Sequence, residues 1–256
     1  MSLFGNLTTE GTEATEDRLG GNFGAIDTDV YTGKIKMAYA GQSAQGARSV
    51  TLILAGGNYG DREYRETIYI TNRKGENFYT KDGKKHQLPG FIVMNHLCQV
   101  TVGKELHEMT GEDKMVNIYD PEQKKEMPKS VPVLTELLGQ EVSLAIVRST
   151  ENQTEKQGDQ YVPKADGSTR DVNNIDKVFH TATKMTVHEA QARQKPGGES
   201  VVAEFWDKWV ERNKGQTRDK TTKTSGAGQS GRPGGGAPQS GNSTGQAPRS
   251  SLFGGS

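Results

Sequence analysis

The chain has 256 residues, 31% of them hydrophobic, with a mean hydropathy of −0.77 and a formal net charge of zero. It is too polar for its whole length to pack as one core, and no apolar run approaches the roughly 18 residues that span a bilayer, which excludes a membrane-spanning helix. The charge is segregated: residues 1–30 hold six acids and one arginine, and residues 214–256 hold six basic residues and Asp219. A binding face must therefore come from local clustering of charge, not bulk excess. Cys98 is the only cysteine, so no internal disulfide forms. With no signal-peptide pattern at Met1-Ser2-Leu3-Phe4-Gly5, the compartment expected is a reducing cytoplasm, that of the host cell if the protein is viral.

Residues 1–26 read as a loose arm. Val30 to Ala40 alternates as a half-buried strand, with Tyr31, Ile35, Met37 and Tyr39 on one face and Thr32, Lys34 and Lys36 on the other. After a turn over Gln42–Gly46, Arg48 to Ala55 is a central strand, and Gly56–Gly60 is a loop. Tyr64 to Thr71 is a third strand, returning through a hairpin signal at Arg73–Glu76 into Asn77–Thr80, and Asp82-Gly83 marks another turn. Pro89-Gly90 opens a helix carrying Val93, Met94, Leu97 and Cys98. Met115–Tyr119 and Glu141–Val147 are strands, and residues 150–170 are polar loop.

Beyond these, Val172–Phe179 and Thr186–Arg193 have helical spacing, and Ser200–Arg212 is an amphipathic helix bearing both tryptophans, Trp206 and Trp209. Its apolar stripe is expected to dock on the β domain. From Gly215 on, the chain is Gly, Ser, Thr, Gln, Pro and Arg, a composition that cannot offset its ordering entropy and should be disordered. Three strands, a helix and two further strands are the order of a five-stranded OB-type barrel with one inserted helix. The expected architecture is mainly β: an arm (1–26), an OB-like domain (27–150), a loop and helices packed on the barrel (151–213) and a tail (214–256).

Tyr59 to His86 is the segment with the most to say about function. It holds the aromatics Tyr59, Tyr64, Tyr69, Phe78 and Tyr79 interleaved with Arg62, Arg65, Arg73, Lys74, Lys81, Lys84 and Lys85. Bases of single-stranded nucleic acid stack on such rings while the cations follow the phosphates, whereas a duplex hides its base faces. Lys34 and Lys36 would add two phosphate contacts. Because neighbouring strand residues face opposite ways, only one of Phe78 and Tyr79 should stack. The opposing reading is a scaffold hairpin, since tyrosine favours strands and five acids dilute the basic run.

Catalytic patterns are weak. Gly103-Lys104 lacks the upstream glycine of a Walker A loop, because Cys98 stands there. The five histidines, His86, His96, His107, His180 and His188, make no zinc spacing with one cysteine. Asp27 with Asp29, and Asp120 with Glu122, are isolated acid pairs. No enzyme, cofactor or metal is expected.

The segment Asp176-Lys177-Val178-Phe179-His180-Thr181, the Met-Ser-Leu-Phe start and the Gly/Gln/Pro-rich tail ending near a phenylalanine together resemble the replicative single-stranded DNA-binding proteins of tailed bacteriophages. The resemblance implies an OB-fold protein that coats single-stranded DNA during replication, recombination and repair. It also implies a tail that recruits phage or host replication and transcription proteins, here through Leu252 and Phe253, which repeat the Ser2–Gly5 tetrapeptide as Ser251–Gly254. One departure stands out: bacterial and many phage members end in an acidic tip, and this tail is basic. The alternatives are a transcription or replication cofactor acting through protein contacts and an unrecognised metal-dependent nuclease. Self-association through a sheet edge is open to either.

Overall fold

The computed structural model describes residues 24–222 except 61, 121, 122, 159 and 199. Its centre is an eight-stranded sheet in which β11 (Thr169–Phe179), β8 (Glu141–Asn152), β1 (Asp29–Gln42), β2 (Arg48–Ala55) and β3 (Glu63–Tyr69) lie side by side in that order. A hairpin of β6 (Glu112–Asp120) and β7 (Lys125–Val133) joins through β7 on β1, and β12 (Thr217–Asp219) runs parallel to β8. Two small hairpins stand apart, β4 (Phe78–Lys81) with β5 (Lys84–Gln87), and β9 (Thr154–Gln157) with β10 (Gln160–Pro163).

The helix α1 (Pro89–Val102) starts on a proline, whose missing N–H would be unpaired there anyway, and stops at Gly103 in the left-handed region, φ 72°. Met94, Leu97, Cys98 and Val100 are buried against Ile35, Leu52, Leu54, Ile68, Leu144 and Ile146. Each such side chain contributes about 1.5–3 kcal/mol of burial. At Gly90 a Cβ would lie 2.2 Å from the Tyr69 carbonyl oxygen, so only glycine lets the helix start this close to β3.

The other face of the sheet carries a second core, Val30, Ala145, Val147 and Phe179, covered by Trp209 of α3 (Phe205–Asn213). Trp209 Nε1 donates to Asp176 Oδ2 at 2.8 Å, which satisfies the indole buried there. The expected docking of the tryptophan stripe is therefore seen, on a helix shorter than Ser200–Arg212. Thr186 caps α2 (Val187–Arg193) in a reciprocal box with Glu189.

The expected OB-like barrel is corrected: the sheet curls around α1 but does not close. Its end strands, β3 and β11, both pack on α1 and do not pair with each other. One side chain spans the gap, Ile175 N donating to Glu66 Oε2 at 3.2 Å. The bulge of β11 lies beside this contact, with Asp176 as the extra residue between Ile175 and Lys177. Such an insertion bends a strand and ends pairing.

The same bulge explains why Val172–Phe179 is strand and not helix. An extra residue puts the core-facing Ile175 and Val178 three apart, which imitates helical spacing. Residues 150–170 are not a plain loop; they finish β8, form the β9–β10 hairpin and begin β11. The β7 strand escapes a sequence reading because Pro128 and Pro132 interrupt it, and it keeps both by lying at the sheet margin. The segment 214–222, expected in the tail, includes β12; the rest of the tail and residues 1–23 of the arm lie outside the described residues. Among the described residues no helix is long and apolar enough to cross a membrane.

Candidate functional site

A groove of about 310 Å³ runs between the outer face of β1–β3 and the β6–β7 hairpin. Three tyrosines from distant parts of the chain line it: Tyr39 of β1, Tyr69 of β3 and Tyr119 of β6. Tyr39 is buried at 5% exposure, while Tyr69 and Tyr119 are 52% and 53% exposed. Arg65 Nη2 donates to the Tyr39 hydroxyl at 2.7 Å, so the guanidinium is held in the groove wall. Beside it Thr51 and Thr67 share a hydroxyl hydrogen bond of 3.0 Å across β2 and β3. The hairpin reaches the sheet by the pairing of Val133 with Tyr39, and Ile118 and Val131 close the far wall.

At its Tyr69 end the groove leads toward the basic segment. The Arg48 backbone oxygen accepts from Ile70 N and Thr71 N, and the Asn72 side chain accepts from Lys74 N and Glu76 N, fixing the turn that carries Arg73 and Lys74. The β4–β5 hairpin follows. In it Tyr79 stacks on His86, with ring centroids 5.4 Å apart, and Lys85 Nζ lies 4.2 Å from the centre of the Phe78 ring. Phe78 and Tyr79 point to opposite faces, as alternation requires. Lys81 and Lys84 face each other across the turn, both exposed.

The structure thus separates the residues the sequence grouped. Arg65 and Tyr69 belong to the groove, Arg73 and Lys74 to the turn after β3, and Phe78, Tyr79, Lys81, Lys84 and Lys85 to the β4–β5 hairpin beyond it. Tyr64 is 5% exposed in the main core and its hydroxyl donates to Glu66, so its ring is not presented to a ligand. Arg62 lies elsewhere, in a cleft with Asp27, Tyr31 and Arg148. Lys34 and Lys36 are exposed on β1, and Lys36 is the extra residue of a bulge and pairs with Glu63. The Tyr59 side chain, Leu252 and Phe253 lie outside the described residues.

The sequence marks Tyr39 and Tyr119 only as strand residues. The β1 bulge hides the first: by strict alternation Tyr39 shares a face with Ile35, but the extra Lys36 puts Ile35 and Ala38 in the core and turns Tyr39 to the groove. For Tyr119 the only signal was an exposed aromatic on a strand, and its meaning depended on the unrecognised β7.

The described residues contain no group of three or more His, Cys, Asp or Glu side chains placed to hold a metal ion. Cys98 is buried, and burial pushes its thiol up to about 12.

No family model, no curated protein and no solved structure matches this chain. The likeness to phage single-stranded DNA-binding proteins is thereby corrected: neither a relative nor a closed barrel supports it. The role that rested on it, coating single-stranded DNA in replication, recombination and repair, falls with it, as does its alternative as a phage replication or transcription cofactor.

Proposed function

We propose that the chain is a binding protein and not an enzyme, and that it holds an extended ligand in the tyrosine groove. The observation that carries this reading is the convergence of Tyr39, Tyr69 and Tyr119 around Arg65. Tyrosines give large contact area at low entropic cost, because each has only two side-chain torsions to fix. Strands hold them in place, and Arg65 with the Thr51–Thr67 hydroxyls adds directional hydrogen bonds. Two of the groove's three tyrosine rings stand about half exposed, which suits a ligand with flat faces. The basic turn and hairpin beyond Tyr69 favour negative charge at that end. The compartment we propose is a reducing one, in which the single cysteine stays a thiol.

Fluorescence anisotropy with three extended probes tests this: a labelled oligothymidylate, a proline-rich peptide and a glucan oligomer. At least one should bind, the anionic probe with the steepest loss on adding salt. Tyr69→Ala and Tyr119→Ala should each weaken that probe by roughly tenfold, the scale of about 1.4 kcal/mol for a lost ring contact. Tyr161→Ala, whose ring is 71% exposed on β10, should leave binding unchanged. Absence of binding by all three probes, or groove variants that bind as tightly as the parent chain, would refute the assignment.

A further inference from the structure

The gap between β3 and β11 is itself a cleft, of about 380 Å³, lying at the start of α1. Two polar atoms on its walls are buried without any hydrogen-bond partner, Ser149 Oγ of β8 and Asn174 Nδ2 of β11. Ser149 is fully buried, at 0% exposure. A buried donor left unmatched costs about 1–3 kcal/mol, so such groups call for an explanation. A ligand that accepts hydrogen bonds supplies one.

Two further features point to the charge of that ligand. The α1 helix, fourteen residues long, enters the cleft with its first turn, has no side chain capping it and no acid in that turn. The N–H groups of Gly90 and Phe91 have no intrahelical acceptor, and they form the positive end of the helix dipole. Gly90, required by the close approach to Tyr69, also leaves that backbone uncovered by a side chain. On the opposite wall stand Arg218 and Lys220. Arg218 is bonded to Asp176 and Lys220 to Glu151, so the cations and acids of this wall offset each other in pairs and the uncapped helix end carries the preference for an anion.

We infer that this cleft is a binding site for a small organic anion, a carboxylate or phosphate on an apolar body. Its oxygens accept from the first turn of α1, from Asn174 Nδ2 and from Ser149 Oγ, and its apolar part lies on Ile68, Val93 and Ile175. The site is distinct from the tyrosine groove and does not depend on that reading, although Thr67 and Tyr69 border both.

Glu66 gives the site a signature. Desolvation raises its pKa above the ordinary carboxylate value, against the lowering effect of the Tyr64 hydroxyl, the Ile175 N–H and Lys220. The charged groups around it are Asp176 of β11, Arg218 of β12 and Lys220 just beyond; α1 brings none to the cleft. An anion arriving beside Glu66 favours its protonated form further, so binding takes up a proton and weakens as pH rises. Above the pKa of a group that must be protonated, the loss approaches tenfold per pH unit.

The test is calorimetric titration of the full chain with benzoate, phenyl phosphate and neutral benzamide at pH 5 and pH 8. One anion or both should bind with unit stoichiometry, more weakly at pH 8, and benzamide should not bind. The tighter of the two anions identifies the head group. Glu66→Gln should bind benzoate, whose charge hardly changes over this range, as tightly at pH 8 as at pH 5; phenyl phosphate, whose second ionisation lies at about 6, is compared between the variant and the parent at each pH. Ser149→Ala with Asn174→Leu should weaken binding at least tenfold without lowering the thermal midpoint of the free protein, since neither side-chain donor has an internal partner to lose. Failure of both anions to bind, benzamide binding as well as they do, or undiminished binding by the double variant would overturn the assignment.

Discussion

His96 lies on α1, with its ring edge-on to that of His188 and 5.2 Å away. Burial, then the charges of His188 and Lys177, bring it down to about 4 from an ordinary 6.5. The unfolded chain therefore binds a proton between about pH 6.5 and pH 4 that the folded chain refuses. Stability contributed by neutral His96 is complete above that window and lost as pH falls through it, at most about 3 kcal/mol. Urea midpoints at pH 7.5 and 4.5 should show a smaller acid loss for His96→Gln than for the parent chain. Equal losses would mean that other groups carry the acid sensitivity. The residue chemistry of β1–β3 and α1 was legible locally: Pro89 and Gly103 bound the helix as their backbone preferences dictate, and Asp82-Gly83 forms the β4–β5 turn with both residues at positive φ.

The α3 helix does two things at once, packing an indole on the second core and donating from it to Asp176. The two are separable. Trp209→Phe retains most of the packing and should cost about 1–2 kcal/mol for the lost hydrogen bond. Trp209→Ala also empties the site and should cost about 3–5 kcal/mol. Denaturant unfolding of both variants measures the difference, and equal costs would show that packing contributes nothing beyond the bond. At this scale the sequence misled in a specific way. Strict alternation holds for β2 and for β8, whose Val142, Leu144 and Ile146 face one core while Ala145 and Val147 face the other. It fails in β1 and β11, where a single inserted residue, Lys36 or Asp176, shifts everything beyond it by one place. In β11 the result imitated a helix, and in β1 it concealed a groove tyrosine.

For the whole molecule, Cys98 is a reporter. Its side chain is buried in the core that joins α1 to the sheet, with its thiol pushed up to about 12 by desolvation first and by Glu136 second. A protected and protonated thiol reacts only when that core opens. Iodoacetamide labelling at pH 8 should be negligible in buffer and should rise with denaturant in parallel with loss of tryptophan fluorescence. Labelling that precedes the fluorescence change would show that α1 leaves the sheet before α3 does.

The sequence by itself determined that this is a β-rich chain with a helix opening at Pro89, an amphipathic helix bearing both tryptophans and a single cysteine, because these follow from local spacing and composition. Only the tertiary structure decided that β3 and β11 stay apart, that Glu66 and the first turn of α1 share the gap, and that Tyr39, Tyr69 and Tyr119 meet around Arg65. Those outcomes depend on bulges and on pairings between segments far apart in sequence, 117 residues in the case of Asp29 with Ile146. Local propensity carries no record of where a sheet stops, since closure is settled by strand bending and by what the edges meet.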